Sequence, residues 1–143
     1  MSALVAMLAI IPLADQAVKL LLRRTLGSRA MRLGPFVDVH LVRARIWRAR
    51  VGGRSTLARM WAMWSVAAGT LTTVAILMPA SGLFIGLLLG GSLSHGLEMS
   101  LRGSVSDYIC LRFWRAFNLA DVAITAGAIG IVAHASIALQ YGL

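Results

Sequence analysis

The chain has 143 residues, room for one domain, and 59% of them are hydrophobic. A mean hydropathy of +0.81 excludes an ordinary water-soluble domain. The formal net charge of +9 comes from thirteen arginines and one lysine set against five acidic residues. On so apolar a chain that charge points to anionic lipid headgroups as partners rather than to nucleic acid, for which no reading module is present.

Apolar runs of about 17–25 residues span a bilayer, and four occur, at residues 3–22, 60–78, 83–99 and 119–139. They predict an all-α polytopic membrane protein with four transmembrane helices and a small β element after helix one, in a single membrane domain over 1–143. The first run has no basic leading region. Asp15 and Lys19 stand where a signal peptide would keep its apolar core and cleavage site, so it is expected to be a retained helix. These two residues lie one helical turn apart, on one face. A charge inside a span costs about 2.5–3.5 kcal/mol on insertion scales; they either neutralise each other as an ion pair or serve a functional site.

The polar stretch 23–59 follows, with ten arginines. Within "PFVDVHLV", Val37, Val39 and Leu41 alternate with Asp38 and His40, the period of a half-buried strand. "RARIWRARV" continues a similar pattern, and Gly52-Gly53 signals a turn. A small β element at the membrane surface is expected, with Trp47 and the arginines at headgroup depth. Ser55 is a candidate cap for helix two.

The short "PASG" link makes helices two and three an antiparallel hairpin, and the glycines of "GLLLGGSLSHG" let helix three approach its neighbours closely. His95 and Glu98 fall in the last turn of that helix, three residues apart. One such pair without partners falls short of a metal-site pattern, so no metal is expected. The segment 100–118 reads as an amphipathic interfacial stretch, with Tyr108, Phe113, Trp114 and Phe117 at the headgroups. Cys110 is the single cysteine, which excludes an intrachain disulfide and leaves a packing role. No G-x-S-x-G, HExxH or phosphate loop is present, and no cofactor is expected.

Four of the five acidic residues lie in or beside the apolar helices. Asp107 and Asp121 are fourteen residues apart, and a connection folded back along the interface would bring them to one depth. Two close carboxylates share a proton, so that one takes a proton from water while the other donates to a carbonyl, as peptide hydrolysis requires. The other reading is local: Asn118 and Asp121 cap helix four, and Asp107 pairs with Arg102 or Arg112.

"DQAVK" in helix one, the "GG" of helix three, "GSVSDY" and then "FNLAD" occur in this order. The chain resembles the lipoprotein signal peptidases (signal peptidase II) over essentially its whole length. The resemblance implies an intramembrane aspartic peptidase of the bacterial inner membrane. Its substrate would be a prolipoprotein, whose signal peptide is cleaved before a diacylglyceryl-modified cysteine. Asp107 and Asp121 would be the catalytic pair, and Asp15, Lys19 and Asn118 supporting positions, with His95 and Glu98 near the substrate. The chain departs from the family pattern at Ala44, where an asparagine is usual. Ser94, His95, Glu98 and Met99 likewise stand where Gly, Asn, Asp and Arg are usual. It also places all thirteen arginines in the two polar loops. The positive-inside rule assigns those loops to the cytoplasm, whereas the family keeps them outside. The alternative to a divergent peptidase is a non-catalytic accessory subunit of a larger membrane complex, built on the same fold.

Overall fold

The computed structural model describes residues 1–27, 29–43 and 54–141. Among them are four long helices, α1 (Ser2–Thr25), α2 (Arg54–Leu77), α3 (Gly82–Arg102) and α4 (Leu119–Tyr141). Three strands, β1 (Met31–Arg32), β2 (Val37–Arg43) and β3 (Ser106–Leu111), and a single 3-10 turn at Pro79–Ser81 complete the set. Each helix holds a stretch long and apolar enough to cross a membrane, and the chain is a polytopic membrane protein. The helices extend a few residues beyond the expected runs, because arginines at 23, 24, 54, 59 and 102 continue helical backbone into the polar zone.

Helix α3 is the hub. Its Gly86 and Gly90 lie against the backbone of α1, where an added Cβ would come within 2.8 Å of the Leu4 carbonyl and 2.6 Å of the Met7 carbonyl. Gly91 faces the other way, and a Cβ there would stand 2.5 Å from the Ala120 carbonyl of α4. Lipid is as apolar as leucine, so burying apolar surface does little to drive helices together in a bilayer; close backbone packing does. Leu4, Ala75, Ile85 and Leu89 form a core far from the sheet. Helix α2 packs on that core through Ala75, Ala68, Leu71 and Val74 but is mostly exposed elsewhere, with Trp61 lying over Gly96 of α3.

The strand expected at Val37 runs to Arg43 and pairs antiparallel with β1. The expected continuation through Trp47 and the Gly52-Gly53 turn lie outside the described residues. Ser55 falls inside α2, which has already begun at Arg54. The segment 100–118 departs most from expectation. Helix α3 ends at Gly103, whose left-handed φ of +66° suits glycine and lets its N–H bond to the Met99 carbonyl. The chain then becomes β3, the third strand of a sheet ordered β1-β2-β3. Tyr108, expected at the headgroups, is buried against Leu22 and Val39. Phe113 and Trp114 are exposed, with Phe36 and Phe113 6.0 Å apart between ring centres.

Gly91→Leu should push α3 and α4 apart at the level of Ala120 and lower the thermal midpoint in detergent, overpacking costing about 1–3 kcal/mol. Gly69→Leu, on α2 with nothing within 4 Å, should leave it unchanged.

Candidate active site

One stripe of α1, spaced by four, carries Asp15, Lys19 and Arg23 toward α3. Lys19 is fully buried, and its ammonium donates to Asp15 Oδ2 at 2.7 Å and to Glu98 Oε2 at 2.8 Å. Arg23 Nη2 donates to Glu98 Oε1 at 2.7 Å and to Ser106 Oγ at 3.1 Å. Asp15 Oδ2 also accepts from Ser94 at 2.7 Å, and Glu98 Oε2 from the Ser106 backbone N–H at 3.2 Å. Two cations thus face two anions, and every carboxylate oxygen of the set has a donor. The expected Asp15–Lys19 pair is therefore half of a larger network. Arg23 escaped notice among the loop arginines, although its place four residues beyond Lys19 marks it as part of the same face.

The network orients β3. Ser106 is held by Glu98 and Arg23, and Tyr108 donates to Asp15 Oδ1 at 3.5 Å while accepting the Leu119 N–H at 3.0 Å. Burial pushes the Tyr108 phenol up to about 12, so it stays a donor. Between these two inward residues Asp107 points to the opposite face of the strand, as strand alternation requires. Cys110 lies on β3 with its sulfur 3.8 Å from His40 Nε2, and burial raises its thiol above the ordinary range.

The chain from Asp107 to Asp121 closes on itself through a bridge between Ile109 and Phe117, which exchange backbone hydrogen bonds of 2.9 and 3.0 Å. That bridge sets Asn118 beside Asp107. Asn118 Nδ2 donates to Asp107 Oδ1 at 2.8 Å and to the Ser106 carbonyl at 3.4 Å. Its Oδ1 accepts the Asp121 N–H at 3.0 Å, and its own N–H reaches Asp121 Oδ2 at 2.9 Å. Asn118 and Asp121 therefore form a reciprocal cap at the start of α4. Asp107, by contrast, bonds to neither Arg102 nor Arg112 but to Asn118. The cap itself places Asp121 beside the asparagine that also bonds Asp107.

Both aspartates line one groove of about 690 Å³ between α2, α3 and α4. Its walls are mostly apolar, from Met60, Trp61, Trp64, Met99 and Ile124, with His95, Ser92 and Arg115 as the other polar groups. Trp61 and Trp64 turn their indole N–H groups to Ser100 and Ser92, at 2.9 and 3.0 Å, leaving ring faces for the groove. Burial lifts the Asp107 carboxyl above the usual carboxylate range; the Asn118 hydrogen bond opposes this and the charge of Asp121 adds to it. His95 and Glu98 diverge despite their spacing. Glu98 turns to Lys19 and Arg23, while His95 Nε2 lies 3.2 Å from Asn118 Oδ1 and 3.5 Å from Asp121 Oδ1.

A buried polar network at one end of a glycine-packed helix bundle, with two carboxyl groups lining one apolar groove, is the architecture of a membrane-embedded enzyme. The family described as signal peptidase (SPase) II matches residues 7–137. A lipoprotein signal peptidase of Methylorubrum extorquens is 30% identical over 92% of this chain and 83% of its own length. That of Burkholderia thailandensis is 31% identical over 86% and 81%. Two solved structures described as bacterial membrane enzymes, by the in meso method, share the fold. One superposes with a TM-score of 0.76 at 19% identity over 94% of this chain and 92% of that one. The other gives 0.77 at 18% identity over 99% and 92%. The chain belongs to the lipoprotein signal peptidase family, whose members are aspartic peptidases.

Lys19→Met should be strongly destabilising, by about 3–5 kcal/mol, because it leaves Asp15 and Glu98 buried without their common donor. Loss of the folded fraction in a denaturant titration in detergent would report it.

Proposed function

We propose that this protein cleaves signal peptides from diacylglyceryl-modified prolipoproteins in the bacterial inner membrane, with Asp107 and Asp121 as its catalytic pair. One observation carries the reading: a single asparagine, Asn118, bonds both carboxylates at the floor of an apolar groove. Asp107, whose carboxyl burial lifts above the usual range, donates its proton to the scissile carbonyl oxygen. Asp121, whose Oδ2 is held by the Asn118 N–H, takes a proton from the attacking water. The gem-diol intermediate collapses as Asp121 passes its proton to the leaving peptide nitrogen and a diol hydroxyl returns one to Asp107, which restores both groups. Asp15, Lys19 and Glu98 act at a distance, holding β3 so that Asp107 keeps its aim. The apolar walls accept the acyl chains and the signal-peptide helix, and the exposed arginines with Phe113 and Trp114 meet anionic headgroups.

Asp107→Asn and Asp121→Asn should each lower cleavage of a lipid-modified prolipoprotein by at least about a hundredfold, read as a mobility shift with the purified chain. The Asp107→Asn protein should melt no lower than wild type. A carboxyl lifted above its ordinary value contributes stability only at low pH and loses it as pH rises through the raised value, so its removal costs nothing at neutrality. A well-folded wild type without cleavage would favour the accessory-subunit reading, with a larger membrane complex as partner.

The same lifted carboxyl sets a pH signature. Cleavage needs a proton on Asp107, so the rate should fall as pH climbs past a value above the ordinary carboxylate range. Orientation has its own readout: with the pair at the outer face, a fluorescent protein fused after residue 143 should fluoresce in the cytoplasm, opposite to the arginine bias.

A further inference from the structure

His95 lies on α3, at the wall of the groove, with its side chain 24% exposed. The atoms around its Nε2 fix the direction of the hydrogen bonds. Asn118 gives its amide hydrogens to Asp107 and to the Ser106 carbonyl, and its oxygen already receives the Asp121 N–H, so an acceptor faces His95. The second neighbour, Asp121 Oδ1, is a carboxylate oxygen and also an acceptor. A nitrogen between two acceptors bears the hydrogen. Nε2 is therefore a donor whether the ring is neutral or charged.

The capping contact alone holds Asp121 by one oxygen, Oδ2, and leaves the carboxylate free to turn about its last bond. His95 Nε2 is hydrogen-bonded to Asn118 Oδ1 at 3.2 Å and stands 3.5 Å from the other oxygen, a longer charge-pair contact. Its hydrogen bond steadies the asparagine that bonds both carboxylates, and its place beside Oδ1 restricts the turn of Asp121. The charged or titratable groups around the ring are Asp121 from α4, Asp107 from β3 and Arg115 from the connection that follows it. Helix α2 presents Trp61 and Trp64.

We propose that His95 is a positioning residue for the peptidase reaction, acting through Asn118 and Asp121: its Nε2–H bonds Asn118 Oδ1 beside Asp121 Oδ1 and so aligns the group that takes the proton from water. This rests on the function proposed above. The role differs from a substrate contact, because the hydrogen is already committed to the protein.

The test is the kinetics of His95→Leu and His95→Gln against wild type on a lipid-modified prolipoprotein. Glutamine keeps an N–H near the place of Nε2, whereas leucine keeps bulk without a donor. His95→Leu should lose about 10–100-fold in kcat with KM changed less than about threefold, as expected when a catalytic group is misaligned. His95→Gln should recover kcat to within about threefold of wild type. Wild-type kcat in the leucine variant, or equal losses in both variants, overturns the proposal. Absence of cleavage by wild type overturns the peptidase reading instead. The His95 geometry is then decided by nitrogen NMR of histidine-labelled protein in micelles. An Nε2–H tautomer whose signal moves in Asp121→Asn supports the hydrogen bond, and an Nδ1–H tautomer overturns it.

Discussion

The ammonium group of Lys19 is the point on which three parts of the molecule converge. It lies fully buried between a carboxylate of its own helix and one from α3, and the second of these also holds β3 through the Ser106 backbone. A buried cation with poor partners would be expelled or neutralised. Here its two acceptors are themselves saturated by Ser94, Arg23 and Ser106, so the whole set is stable only in this arrangement. The glycine packing of α3 against α1 makes the approach possible, since bulkier residues at Gly86 or Gly90 would hold the helices apart.

From that anchor the rest follows in short steps. Fixing Ser106 and Tyr108 fixes the pleat of β3, and the pleat sends Asp107 to the groove side. The Ile109–Phe117 bridge returns the chain, so that the residue capping α4 also touches Asp107. One geometry thus serves both the cap of α4 and the contact with Asp107. The sparse packing of α2 near the sheet leaves the groove beside these groups open between the helices.

The membrane spans were legible because a bilayer tolerates few departures from apolar composition, and β2 because its alternation is local. Strand β3 was not, because its partner lies more than sixty residues earlier and its own composition, with Tyr108 and the neighbouring Phe113 and Trp114, matches an interfacial segment equally well. The same ambiguity put Tyr108 at the headgroups instead of in the interior. For the aspartates, spacing left capping and pairing open, and a motif resemblance singled them out. What brings them together is a backbone bridge that leaves no mark on composition. Arg23 shows the limit of reading by segments: assigned to the polar loop by its charge, it belongs to helix α1 by its periodicity.

The balanced network has a consequence for how the chain is made. Helix α1 brings Asp15, Lys19 and Arg23, one positive charge in excess, while α3 brings Glu98 alone. As α1 leaves the ribosome its first two charges neutralise each other, and Arg23 stays near the interface, so that helix settles in lipid unaided. In the folded protein the donors to Glu98 all come from outside α3, although Arg102 stands four residues further along that helix, and an acid within a span is costly when left unpaired. The cations that Glu98 keeps after assembly belong to α1, which is made first, while α2, made between the two, holds little of the contact. The charge that receives the third helix is thus already stored in the first.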